Sequence, residues 1–238
     1  MKFFYDLHIH TCLSPCGDED MTPNNIINMA LIKGLDVIAI TDHNCASNVR
    51  ACCEVARDSE LIVIPGMEVE TSEEIHMVVL HENIDKLLEI ENIVSQSLPP
   101  IKNKVEIFGE QVIMNSLDEV VGTKDNFLIT ASGIDVASLY KIVSDFGGVI
   151  FPAHIDKTSY SIISNLGSIP DDLLFSAVEI KNKPINPEIK KICENRNFKV
   201  IHNSDAHYLW DISERENYIE CKSRNIHDFL TNLKQKNS

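Results

Sequence analysis

Seven short apolar runs punctuate the chain, each bounded by polar residues and several ending in a group able to bind a ligand. They are KFFYDLHIH (2–10), LDVIAITDH (35–43), LIVIPGMEVE (61–70), EIHMVVLHE (74–82), GGVIFPAHID (147–156), SAVEIKN (176–182) and NFKVIHNSDAH (197–207). Their apolar positions are mostly continuous rather than alternating, the pattern of strands covered on both faces. Helical segments fall between many of them. Thr22 is a good N-cap, Pro23 suits the first helical position, Ile26, Ile27, Ala30 and Leu31 share a side, and Gly34 ends the helix. Residues 47–59, 83–98, 134–148 and 186–197 read similarly, the last with Asn186 ahead of Pro187. Alternating strands and helices predict an α/β fold with a largely parallel sheet. Two stretches, 100–125 and 157–172, break the rhythm as insertions. With no repeat, low-complexity tract or domain boundary, the expectation is one domain over 1–238 with elaborated loops.

Composition narrows the picture. A chain of 238 residues that is 44% hydrophobic and 24% charged is long enough to bury a sizeable core and ordinary for a soluble globular protein. The opening MKFFYDLHIH meets polar groups too soon for a signal-peptide core, and no run approaches the roughly 20 apolar residues that span a bilayer. The expected location is the cytoplasm, without membrane contact. A formal net charge of -15 repels nucleic acid, phospholipid and phosphate at long range. A protein of this sign that handles phosphate needs local positive charge, and without a strong basic cluster, bound cations are the more interesting source. The seven cysteines are an odd, scattered set that reads as reduced thiols. Cys12 and Cys16 lack a second pair, so small buried residues are preferred to a zinc site.

The ligand chemistry gathers at the ends of the apolar runs. His8 and His10 are two apart and project from one face of a strand, and Asp205 and His207 repeat the spacing. His43 closes the second run, Glu68 follows IVIPGM, His76 opens IHMVVL, and His154 ends VIFPAH. In a closed parallel sheet such groups converge on one mouth, where barrel enzymes place catalysis. A lone histidine is more often structural than a ligand. Six of the nine falling at strand ends points to a common cause. His81, His202 and His227 are read as structural. Imidazole plus carboxylate is the ligand set of zinc, manganese and iron. The inventory exceeds one ion's needs and suits two or three, with Glu68 bridging. Two-metal sites stabilise both attacking and leaving oxygens in phosphoryl displacement, and three divalent ions add about +6 locally.

The ordered motifs DLHIHT, ITDHN, GMEV, EIHMV, AHID and NSDAH resemble those of the PHP (polymerase and histidinol phosphatase) family, from Asp6 to His207. The resemblance implies a distorted (β/α)7 barrel, TIM-barrel-like, with a trinuclear metal centre at its C-terminal mouth. It implies one metal on His8, His10, Glu68 and Asp205, and a second on Glu68, His76 and His154. The third falls to His43, His207 and a loop carboxylate, Asp18 by counting back from Pro23, with Glu19 and Asp20 as alternatives. Ile155 and Asn203 stand where the family often has proline and glycine. Asp42, beside a ligand, is read as a group that orients it.

The activity so implied is that of a metal-dependent phosphoesterase acting through a metal-bridging hydroxide. Its expected partner is a small phosphorylated substrate, either a phosphomonoester or a short phosphodiester, nucleotide-like or histidinol-phosphate-like. The acidic balance disfavours long nucleic acid. His207, beside Asp205, is a candidate general acid, a metal-bound water being the other, and Lys157 and Arg50 are candidate phosphate contacts. An amidohydrolase-type C–N hydrolase and a non-catalytic, metal-stabilised interaction domain are the alternatives.

Overall fold

The computed structural model describes residues 1–236. Its strands are β1 (Lys2–Ile9), β2 (Val37–Ile40), β3 (Ile62–Glu70), β4 (His76–Leu80), β5 (Val112–Met114), β6 (Val120–Thr123), β7 (Val149–Pro152), β8 (Ala177–Glu179), β9 (Lys199–Ile201) and β10 (Tyr218–Glu220). The helices are α1 (Pro23–Ile32), α2 (Val49–Ala56), α3 (Ile84–Ser97), α4 (Val105–Phe108), α5 (Val136–Asp145), α6 (Ile162–Leu166), α7 (Pro187–Arg196) and α8 (Ile226–Leu233). Thr22, Asn83, Asp135 and Asn186 cap their helices as side-chain acceptors. Each satisfies a backbone N–H that the first turn leaves without a partner.

The seven apolar runs become seven staves of a curled sheet. β1, β2 and β3 are parallel neighbours, β4 follows β3 and β7 follows β4. The Ile155 amide donates to Glu179 O at 2.9 Å, and β8 pairs with β9 in parallel. The ring returns to β1 where the His10 amide donates to Ala206 O at 2.9 Å. β10 pairs antiparallel with the start of β1, at Lys2–Phe4, and fills the other end of that seam. Phe3, Tyr5, Leu7, Val37, Ala39, Ile64, Val78, Leu80, Phe151, Ala177 and Ile201 form one buried cluster drawn from every stave. A second cluster, including Ile38, Ile40, Ile26, Ile27, Val49 and Cys52, joins the staves to the helices.

One stave departs from the largely parallel order. β4 runs antiparallel to both β3 and β7. Only five residues separate β3 from β4, whereas a parallel return takes a dozen or more. The link is a tight turn closed by the Thr71 amide on Ile75 O, 2.9 Å. Gly66 lets β3 lie close against both neighbours, since a Cβ there would stand 2.8 Å from Leu80 Cδ2 and 3.0 Å from Ile40 O.

Residues 100–125 contain α4 and the β5–β6 hairpin, folded onto the start of α1 and α2. Asn48 joins β5 through Val112 O (3.1 Å) and the Met114 amide (2.9 Å), and Asp118 accepts from Thr22 Oγ1 at 2.6 Å. Residues 157–172 contain α6. No helix among the described residues is long and apolar enough to cross a membrane.

Candidate metal centre

The mouth is built around one carboxylate. Glu68 lies on β3 at an interior position, two residues beyond Gly66, and is fully buried. Five imidazoles face its oxygens: His76 Nδ1 at 3.0 Å, His43 Nδ1 at 3.1, His8 Nε2 at 3.2, His10 Nε2 at 3.4 and His154 Nε2 at 3.5 Å. Asp205 Oδ1 stands 3.5 Å from both His8 Nε2 and His10 Nε2. The His207 ring stacks on His10, with centroids 4.2 Å apart.

A kink in β1 makes this possible. Phe3, Tyr5 and Leu7 fill the barrel interior, so strict alternation would turn His8 outward. The register of β1 against β2 shifts between Asp6 and Ile9, which re-aims the following side chains. At other strand ends the backbone itself turns. His154 and Asp205 have φ of +28° and +51°, in a region that L-residues other than Asn, Asp and His rarely adopt. Strain of this kind is concentrated at functional sites.

Hydrogen bonds on the outer side of the rings set which nitrogen faces inward. His8 Nδ1 donates to Glu179 Oε2 at 3.0 Å, leaving the Nε2 lone pair toward Glu68. Asp42 Oδ1 accepts from Ser14 Oγ at 2.7 Å, so the Ser14 oxygen accepts from His10 Nδ1 at 3.0 Å. Again Nε2 is left inward. His207 Nδ1 donates to Asp205 O at 3.0 Å. Yet His8 Nε2, His10 Nε2, His43 Nδ1 and both Glu68 oxygens are buried without a hydrogen-bond partner. Each buried orphan costs about 1–3 kcal/mol. Lone pairs of nitrogen and oxygen converging on common points are what a divalent cation satisfies. Among the described residues, three groups of ligand atoms are compact enough to hold one: His8, His10 and Glu68; His43, Glu68 and His76; and His10, His43 and His207.

The electrostatics divide the ring of imidazoles: against their burial, Glu179, Glu68 and Asp205 raise His8 well above the usual imidazole range and Glu68 raises His76, so a cation bound there displaces a proton. Burial, reinforced by His207, lowers His10 to about 4, and burial likewise drives His43 well below the usual imidazole range, so both keep their lone pairs. Burial opposes ionisation of Glu68, but His76 and His8 outweigh it and hold the carboxyl down. Asp205 is lowered against its burial chiefly by His8. Burial raises Asp42 to about 6, although Ser14 and Thr11 hydrogen bonds oppose the rise.

Of the residues singled out in the sequence, His8, His10, His43, Glu68, His76, His154, Asp205 and His207 are brought together. Lys157 joins them, with Nζ 2.7 Å from Asp205 Oδ2. Asp18 stands beside His207 through its amide, which donates to His207 O at 2.9 Å, but its Oδ1 accepts from the Asp20 amide at 3.0 Å. Glu19 and Asp20 are exposed. Arg50 is not brought to the cluster: it is exposed and paired with Asp85 at 3.0 Å, because its position on α2 turns it toward α3. Asp42 touches no ligand nitrogen directly and reaches His10 through Ser14. His81 Nε2 donates to Phe146 O, His202 Nδ1 to Ile180 O, and His227 pairs with Glu82, all outside the mouth.

Sequence reasoning missed Glu179, Ser14 and Glu70. Glu179 is buried on β8 and also accepts from the His154 amide (3.1 Å) and Asn203 Nδ2 (2.6 Å). Its signal was available, the one carboxylate in the run SAVEIKN, one interior position beyond Ala177. Glu70 shares the Glu68 face of β3 and lies 3.9 Å from His76 Nε2. Ser14 carried no signal beyond lying four residues after His10.

A curled barrel with clustered imidazoles and carboxylates at one mouth defines a PHP-like fold with a site able to hold metal. The PHP domain family matches residues 6–166, and the chain belongs to that family. An uncharacterized protein of Methanocaldococcus jannaschii, MJ1587, is 35% identical over 100 residues, covering 38% of this chain and 58% of its own length. The 5'-3' exoribonuclease Rnm of Salmonella typhimurium is 38% identical over 86 residues, 34% of this chain and 28% of that protein. The chain thus spans less than two thirds of the length of these relatives. Among solved structures, the lesion-specific endonuclease PfuEndoQ of Pyrococcus furiosus superposes with a TM-score of 0.71 at 17% identity. That match covers 98% of this chain and 56% of the endonuclease, and it establishes likeness of fold.

Proposed function

We propose that this chain is a metal-dependent phosphoesterase that hydrolyses a small phosphoester carrying a nucleotide-like group. The observation that carries the reading is the set of unpartnered buried atoms around Glu68 in a chain of the PHP family. His8, His10, Glu68 and Asp205 would hold one divalent ion, Glu68, His76 and His154 a second, and His43, His207 and Asp18 a third. Zinc, manganese and iron all suit these donors. Bound there, such ions supply Lewis-acid polarisation of the phosphoryl group and acidify the attacking water.

The protein's own groups orient and neutralise. Glu179 and the Asp42–Ser14 pair hold the His8 and His10 lone pairs inward. The Lys157 amine, kept protonated by Asp205, Glu68 and Glu179 against partial burial, meets the phosphoryl oxygens at the open side of the mouth. His207, more exposed than the other imidazoles here at 22%, lines the open edge of the mouth, where the leaving group would depart. The nucleic-acid activities named for Rnm and PfuEndoQ support a nucleotide-like group. They also weigh against reading the net charge of -15 as excluding nucleic-acid ends.

The test is phosphate release from a panel of phosphomonoesters, dinucleotides and oligonucleotide ends with added manganese or zinc, with cyclic amides as controls. Turnover of a phosphoester, lost in His10→Ala with the fold retained, is expected. Inactivity of the metal-loaded wild type on every phosphoester, or cleavage of amides alone, would overturn the reading.

A further inference from the structure

The cluster around Glu68 is buried at its centre and reaches solvent at Lys157 and His207. His8 and His10 are wholly buried, whereas Lys157 is 37% exposed and Tyr160, three residues on, is 43% exposed. A ligand therefore approaches past the start of the 157–172 insertion. There the Tyr160 ring lies flat on His76, with centroids 4.8 Å apart and planes at 28°. Its carbonyl accepts from the His76 amide at 3.0 Å. Tyr160 holds this place with φ of +53°, in the left-handed region that a bulky L-residue adopts at a cost. His76 is already turned toward Glu68, and the phenol adds no ligand to it.

An aromatic ring fixed by one face against the site wall and left partly open to solvent is a stacking platform. We infer that Tyr160 reads the substrate: its open side stacks on the planar base of a nucleotide whose phosphoester group lies against Lys157 and the Glu68 cluster. Every base has a π-face, so this contact selects for a base without selecting among bases. The inference rests on the phosphoesterase reading and adds the part of the substrate that the metal-binding residues do not touch.

The test compares the non-hydrolysable phosphonate isosteres of AMP and ribose 5-phosphate, which differ by the base, as calorimetric ligands of the manganese-loaded protein. The wild type is expected to bind the AMP isostere about 10-fold or more tightly than the sugar isostere. Tyr160→Ala is expected to erase that preference without weakening the sugar isostere, while Tyr160→Phe and Tyr160→Trp keep it. Absence of a base preference in the wild type, or an equal loss for both ligands in Tyr160→Ala, would overturn the inference. Hydrolysis of AMP itself is measured alongside. No turnover of AMP or of any phosphoester in the panel, with the base preference intact, would refute the phosphoesterase reading and leave Tyr160 as a base-binding residue.

Discussion

At the scale of single residues, Glu179 shows how far the site depends on a group that faces no common ligand point. Its two oxygens are engaged by His8 Nδ1, the His154 amide and Asn203 Nδ2. Glu179→Gln keeps the volume but places an amide NH2 against donors and withdraws the charge that makes His8 a strong base. Loss of such a partner costs about 10–100-fold in metal affinity. Competition with a chromophoric chelator should register that loss while far-UV circular dichroism stays at wild type; an unchanged affinity would show that His8 is held by packing alone. Asp18 is a different case. Gly17 permits a tight loop, because a Cβ there would collide with Thr11 O, and the loop delivers the Asp18 amide to His207. If Asp18 completes the third site, Asp18→Ala should be purified with about one ion fewer than Asp20→Ala, as counted by elemental analysis.

At the scale of elements, the caps make a clean test because they are remote from the chemistry. Asn83 Oδ1 accepts from the Asp85 and Lys86 amides at the start of α3, and the Asn83 amide donates to His81 Nδ1 at 2.8 Å. Asn83→Ala should cost about 1 kcal/mol and lower the thermal midpoint by about 2–4 °C. Activity should hold, since α3 supplies none of the groups around Glu68. The caps at Thr22 and Asn186 and all seven staves were legible in the chain, because apolar run length and capping chemistry are local signals. Strand direction was not, since a continuous apolar run such as IHMVVL reads the same either way. The five-residue link before it was the available clue. The turning of His8 and His10 into the mouth was hidden for another reason: the shift between Asp6 and Ile9 is a property of how β1 meets β2, not of β1 alone. Lys157 and Arg50 looked equivalent in sequence. Only the packing of the 157–172 insertion and of α2 against α3 separates them.

At the scale of the whole molecule, folding brings five imidazoles, Glu68 and Asp205 into one buried mouth of a chain with net charge -15. Without cations this end of the barrel holds mutually repelling rings and unsatisfied lone pairs that the unfolded chain would expose to water. The hydrophobic clusters must then hold the site together against its own desolvation. Ions that bind the native mouth and not the unfolded chain reverse the balance. One site filled at about 1,000 times its dissociation constant adds about 4 kcal/mol, which for a chain of this size is a shift of about 8–16 °C in midpoint. Dialysis against a strong chelator should therefore lower the melting temperature by roughly that amount or more, and manganese or zinc should restore it. His10→Ala, lacking a ligand common to two of the three groups, should recover only part of the shift. Differential scanning calorimetry reads this without any substrate, so it separates the metal claim from the choice of phosphoester. A midpoint indifferent to both chelator and added metal would mean that the Glu68 cluster is an ordinary, if costly, polar core.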